Sequence, residues 1–325
     1  MHDPIHAARE TRLGVTYGLL AYLWWGMVAI YFAAIKTVPP LEVLAHRVVW
    51  SLLLLGVLLA WRRQWMKNLR ALRDRRTLLL LLGSTSVIAC NWFVFIYSVA
   101  NDRLVEASLG YFINPLVNIL LGFIFLRERL RRLQTVSVLL AATGVIWLTW
   151  SLGVPPWIAL ILGFSFGFYG LLRKVTSVDS LGGLTLETML LGPLALGYLL
   201  WLGLRGEGTF LGGSLTTDGL LIFAGVVTAL PLLWFAAAAR RLRLMTVGFL
   251  QYLAPTCQFF LAVFYFREPF TTDHLVAFGF IWAALALYTI DAVTRYRSGR
   301  RAASMRAAPV ATPGAPVPAA PPYRK

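Results

Sequence analysis

Apolar stretches of about 20 residues recur along the whole chain, and that is the length a helix needs to cross the roughly 30 Å hydrocarbon core of a bilayer. They run from Leu13 to Ala34, Val43 to Ala60, Thr77 to Val99, Ala107 to Leu126 and Leu133 to Leu152. A second series follows from Val154 to Leu172, Leu184 to Leu204, Gly219 to Ala239, Leu244 to Phe266 and His274 to Ile290. None alternates polar and apolar residues as barrel strands do, and lipid offers backbone amides no partner, so each stretch is expected to be a helix. Composition supports this: 14% of the 325 residues are charged and mean hydropathy is +0.70, whereas soluble domains carry about 25% charge. The sequence predicts an all-α membrane protein with ten transmembrane helices.

A formal net charge of +16 raises the question of a nucleic-acid surface, but the positions of the charges answer it. Of the 30 Lys and Arg, 25 fall before the first stretch, after the last, or in alternate connections between them; only Lys36, Arg47, Arg103, Arg205 and Arg267 fall on the other side. Such asymmetry is the positive-inside pattern of an even number of spans with both termini cytoplasmic. Nucleic acid is therefore discounted as a partner, and the lipid bilayer takes its place. A helical bundle of this kind points to a bacterial inner membrane.

The chain repeats itself. NPLVNILLGFIFLRERL in the fourth stretch and APTCQFFLAVFYFREPF in the ninth align Pro115 with Pro255, and Arg127-Glu128 with Arg267-Glu268, at a separation of 140 residues. Trp92-Phe93 and Trp234-Phe235 correspond at 142. The expected organisation is a cytoplasmic N-terminus over residues 1–12, five-helix repeats over 13–152 and 153–293, and a disordered, basic, Pro/Ala-rich tail over 294–325. Five spans is an odd number, so the second repeat must enter the membrane inverted. Inverted halves are an architecture of secondary transporters, with substrate held near the midplane and access alternating as one half rocks against the other.

Several segments carry a resemblance to a known family: AYLWWG at 21–26, HRVVWS at 46–51, NWFVFIYSVAN at 91–101 and EASLGYFINPLVNILLGFIFLRERLRR at 106–132, then GFSFGFYGLLRK, LETMLLGPLAL and RRLRLMTVGFLQY in the second half. The chain from Gly14 to Asp291 resembles the RarD proteins of the EamA group, in the drug/metabolite transporter superfamily. The resemblance implies a ten-helix inner-membrane permease for a small metabolite or drug-like molecule. The Pro/Ala tail has no counterpart in that pattern.

Polar side chains inside spans are costly and mark either function or interhelical contacts. Asn118 and Gln258 stand 140 apart, each three residues after the shared proline, whose ring frees a carbonyl four residues earlier and favours a bend at Pro115 and Pro255. With Asn91, Asn114, Gln251 and Tyr252 they form the candidate substrate-binding set. Arg47 and Glu187, also 140 apart, are expected about 5 to 6 Å into their spans, Arg47 near Asp102 or Glu106 at the outer mouth and Glu187 near Arg240, Arg241 or Arg243 at the inner one; with Glu106 they are the gating or coupling candidates. The Gly14/Gly18 and Gly163/Gly167 pairs read as packing surfaces.

An enzyme would need a nucleophile with its base, a metal cluster or paired carboxylates, and neither H-E-x-x-H nor clustered intramembrane aspartates occur. Cys90 and Cys257 lie in apolar spans and read as packing residues, while His2 and His6 sit in the N-terminal extension, His46 opens the second span and His274 the tenth, so no zinc site is read from them. No cofactor and no metal is expected. A receptor or scaffold without transport is the alternative reading, with a homodimer left open, but it gives the repeat no purpose.

Overall fold

The computed structural model describes residues 4–62, 65–127, 129, 131–212, 214–242 and 250–307. Among them every regular element is helical: α1 Pro4–Ala34, α2 Pro40–Trp61, α3 Trp65–Ala71, α4 Arg75–Ala100, α5 Leu104–Leu126, α6 Arg132–Leu152, α7 Trp157–Val175, α8 Ser180–Arg205, α9 Leu215–Arg241, α10 Leu253–Phe260 and α11 Thr272–Ala307. A π-helical turn, Leu261–Tyr265, extends α10. Eight of these helices are long and apolar enough to cross a membrane, while Trp157–Arg173 and Leu253–Tyr265 are shorter apolar helices. Of the ninth expected stretch, residues 244–249 lie outside the described residues.

Local chemistry sets the helix starts. Asp74 caps α4 by accepting from the Thr77 amide at 2.9 Å, Ser214 caps α9 from the Thr217 amide at 3.3 Å, and Asp179 caps α8 from the Gly182 amide at 2.7 Å. Pro40 opens α2, where its missing N–H costs nothing. The starts keep the 140-residue interval: Pro40 and Ser180, Arg75 and Leu215, Arg132 and Thr272. So do two backbone exceptions, since Arg127 and Arg267 both end their elements in the left-handed region, at φ 54 and 56°.

Packing follows the same exchange. Helix α1 lies against α9 and α10, as α7 lies against α4 and α5; α6 pairs with α11, and α2 with α8. Close approach is set by small residues: a Cβ on Gly26 of α1 would stand 2.6 Å from the Cys257 Cβ, and one on Gly167 of α7 would stand 2.8 Å from Val117 Cγ1. Positions 117 and 257 are again 140 apart. Gly163 likewise meets Ile113, and Gly14 and Gly18 meet Leu242 and Leu250, so both glycine pairs are packing surfaces. Cys257 packs in this way, whereas Cys90 is exposed on the bundle surface rather than packed within the chain.

Two expectations about boundaries change. Helix α1 begins at Pro4, inside the expected non-spanning N-terminus, and α11 continues to Ala307, past the expected start of the tail at 294; residues 308–325 lie outside the described residues. The connection between α8 and α9 is held by two buried carboxylates. Glu42 accepts from the amide and hydroxyl of Thr209 at 2.7 and 2.9 Å, and Asp218 accepts from the Leu211 amide at 2.9 Å, steadying Leu211 at φ 62°.

Candidate functional site

The polar side chains of the expected substrate set come from α4, α5, the α9–α10 segment and α10, and hydrogen bonds link most of them into two groups. In the first, Asn91 of α4 donates to the Leu162 carbonyl at 3.1 Å and Ser165 Oγ at 3.0 Å, and its Oδ1 accepts from the Tyr111 hydroxyl at 3.2 Å. In the second, Asn114 of α5 donates to the Gly163 carbonyl at 3.1 Å and its Oδ1 accepts from Asn118 at 3.1 Å and from Gln251 at 3.3 Å. Asn114 is fully buried while Asn118 is exposed along the bundle, so Asn114 is the hub and Asn118 its open end. The Gln251 bond joins chain segments 137 residues apart.

Gln258 does not meet Asn118. Its Nε2 donates to the Trp25 carbonyl of α1 at 3.1 Å, and its Oε1 is sealed in the interior without a partner, as is the Tyr252 hydroxyl. Tyr252 forms the N-terminal boundary of α10, and Pro255 sits in that helix's first turn, where proline is tolerated; Pro115 lies within α5. The helical run is interrupted at Tyr252, beside the carbonyl that Pro255 leaves free.

Arg47 is deeper and differently partnered than its sequence position suggests. Because α2 starts at Pro40, Arg47 lies seven residues, or about 10 Å, into the helix. Neither expected carboxylate reaches it, since Asp102 pairs with Lys36 at 3.6 Å and Glu106 with Arg103 at 2.6 Å. Instead its Nε donates to Thr228 Oγ1 of α9 at 2.7 Å, and its guanidinium lies 4.2 Å from the Trp92 ring centre and 5.8 Å from that of Phe32.

Glu187 is corrected in the same way. It also sits seven residues into its helix, α8, and is almost wholly buried at 1% exposure. Its partners are Arg173 of α7 at 3.8 Å, the Ser84 hydroxyl at 2.6 Å and the Tyr169 hydroxyl at 3.2 Å. Arg241, one of the expected partners, pairs with Glu10 at 3.0 Å, and Arg243 lies outside the described residues. Arg173 lies in the last turn of α7. It folds back over Gly183, where a Cβ would overlap it, and also donates to the Asp179 carbonyl at 2.9 Å.

Glu268, the second residue of the repeated Arg-Glu pair, is buried, and its two carboxylate oxygens accept from the Leu104 and Val105 amides at 2.7 Å each. It thus caps α5, whose own N-cap residue Arg103 supplies no side-chain bond. Burial pushes its carboxyl above the ordinary carboxylate range, the two amides oppose that, and Asp102 and Glu106 add to it. Thr228, Ser84, Ser165 and Tyr169 were not singled out from sequence; hydroxyls in apolar runs are the only signal they leave.

The chain matches the model of the EamA-like transporter family over residues 12–150. It is 45% identical over 295 residues to "Uncharacterized transporter YojE" of Bacillus subtilis, covering 90% of this chain and 98% of that one. It is 46% identical over 290 residues to "Protein RarD" of Escherichia coli K12, covering 89% and 98%. The "Chloramphenicol-sensitive protein RarD" of Pseudomonas aeruginosa is 32% identical over 298 residues, covering 89% and 97%. A solved crystal structure shares the fold with TM-score 0.55 at 18% identity, covering 85% of this chain and 97% of that one.

Proposed function

Because the chain belongs to the EamA-like transporter family and is a multi-pass membrane transporter, we propose that it is a secondary transporter for a small metabolite or drug-like molecule, working by alternating access between two inverted five-helix halves. The observation that carries this reading is the exchange symmetry of the packing: α1 against α9 and α10 mirrors α7 against α4 and α5, with the Gly26–Cys257 and Gly167–Val117 contacts at matching positions. Polar contacts join the halves, among them Arg47 to Thr228 and Asn114 to Gln251. A substrate site at the interface of inverted repeats would place these groups and Asn91, Asn118, Tyr252 and Gln258 along its wall. Glu187 and Glu106 are the candidate carboxylates for gating or coupling. The basic loops put both termini in the cytoplasm of a bacterial cell, with the Glu268 cap at the outer side.

Proteoliposomes holding the full chain and loaded with a bacterial cytosolic extract test the reading. At least one solute should leave faster than from protein-free vesicles, by mass spectrometry. If the protein changes the flux of none, the transport reading falls. Single cysteines near each terminus, labelled with an impermeant reagent in intact cells, test the orientation: labelling of either from outside overturns it.

A further inference from the structure

We propose that Arg47 is the anchor for the charged head of the substrate, and that this head is a carboxylate on a small molecule with an apolar body. The inference rests on the transporter reading above and narrows it to a substrate class. A guanidinium about 10 Å into a membrane helix is expensive unless something offsets its charge. Among the described residues nothing does so with charge. Lys36, Arg103, Arg173, Arg205 and Arg241 each have a carboxylate within 4 Å, whereas Arg47 has a hydroxyl and two aromatic rings.

The geometry leaves one edge of the group unused. The single Nε–H is spent on Thr228 Oγ1 and the Trp92 ring covers the guanidinium face, so rotation about the side chain's end is restricted. The two terminal nitrogens meet no acceptor among the described residues, and the Arg47 side chain is half-buried rather than sealed. That edge presents two parallel N–H donors, the fork that matches the two oxygens of a carboxylate. A phosphate monoester carries about two negative charges at neutral pH, and among the described residues no second cation shares the partners of Arg47, so a monoanion balances the site where a phosphate would leave charge over. The surroundings are aromatic, with Phe32 and Trp92 against the guanidinium and Tyr31 and Tyr111 within its electrostatic reach, which suits an apolar body.

The test measures binding to the purified full chain as a shift in its thermal unfolding, using benzoate, phenylacetate and indole-3-acetate, their three neutral amides, and phenyl phosphate. At least one of the three carboxylates should stabilise the protein while its own amide does not. For that carboxylate, Arg47→Gln should weaken apparent affinity by about tenfold to a hundredfold. Arg47→Lys keeps the charge without the fork and should fall between; it serves if the glutamine variant does not fold. Thr228→Val, which releases Nε, should weaken carboxylate binding less than Arg47→Gln. The proposal is overturned if none of the three carboxylates binds, if an amide binds as well as its acid, if phenyl phosphate outranks every carboxylate, or if both Arg47 variants bind the carboxylate like wild type. Its failure is separable from that of the transport reading: flux of a neutral or cationic solute, unaffected by Arg47→Lys, would sink this assignment and leave transport standing. Arginine-dependent carboxylate binding without any flux would do the reverse.

Discussion

Glu187 and Arg173 offer a perturbation whose size follows from the coordinates. They face each other at 3.8 Å, with 1% and 14% of their side chains exposed. At an effective dielectric constant of about 20, two unit charges at that distance attract by about 4 kcal/mol. Removing one partner of a buried pair strands the other and costs about 3 to 5 kcal/mol, whereas removing both restores neutrality. Glu187→Gln keeps an acceptor for Ser84 but strands Arg173, one of whose terminal nitrogens is already sealed without a hydrogen bond. Arg173→Gln strands a carboxylate that still holds the Ser84 and Tyr169 hydroxyls. We therefore expect each single variant to lose a few kcal/mol, and the double variant to lose clearly less than the sum, with a coupling of at least about 2 kcal/mol. Unfolding of the purified chain in mixed micelles, followed by tryptophan fluorescence, closes the cycle. If the pair also gates the pathway, the double variant recovers folded protein but not flux. Additive losses, within about 0.5 kcal/mol, would refute the claim that the two charges depend on each other.

Asn114→Leu should destabilise the protein more than Asn118→Leu, because Asn114 makes three hydrogen bonds, one of them fully buried, and Asn118 one; equal losses in micellar unfolding would show that the hub is not Asn114. For substrate contact, Asn118→Leu and Gln258→Leu should weaken affinity by about 1 to 2 kcal/mol per lost bond, or up to roughly thirtyfold, and unchanged affinity in the folded fraction of both would reduce them to helix contacts. Gly167→Leu and Gly26→Leu should each cost about 1 to 3 kcal/mol or more, since a Cβ at either position already crowds the opposing helix; wild-type yield and unfolding for both would contradict the packing. Glu268→Gln tests the α5 cap by pH: with its carboxyl raised by burial, the folded wild type holds its proton more tightly than the unfolded chain. Stability of the wild type relative to Glu268→Gln is then fully present below the ordinary carboxylate range and declines as pH rises through the raised value, whereas a rising difference would reverse the assignment.

What the sequence determined by itself follows from the solvent. Lipid leaves backbone amides no partner but their own helix, so the length of an apolar run foretells a helix wherever one occurs, and α2, α4, α5, α6, α8 and α9 begin and end within a few residues of the runs that predicted them. The 140-residue register was legible because proline and an Arg-Glu pair are rare in such surroundings, and the helix starts at Pro40 and Ser180 keep the same interval. Side-chain partnerships had no such local signal. Arg47 was expected beside Asp102 or Glu106 and instead meets Thr228 and Trp92; Glu187 was expected beside the 240–243 arginines and meets Arg173; Glu268, legible only as half of a repeated Arg-Glu pair, caps a helix 164 residues away. Each depends on which faces of distant helices come together. That choice is made by close approach at residues such as Gly26 and Gly167, and by the need of every buried charge for a neighbour, and neither condition is written in the neighbourhood of the residue it governs.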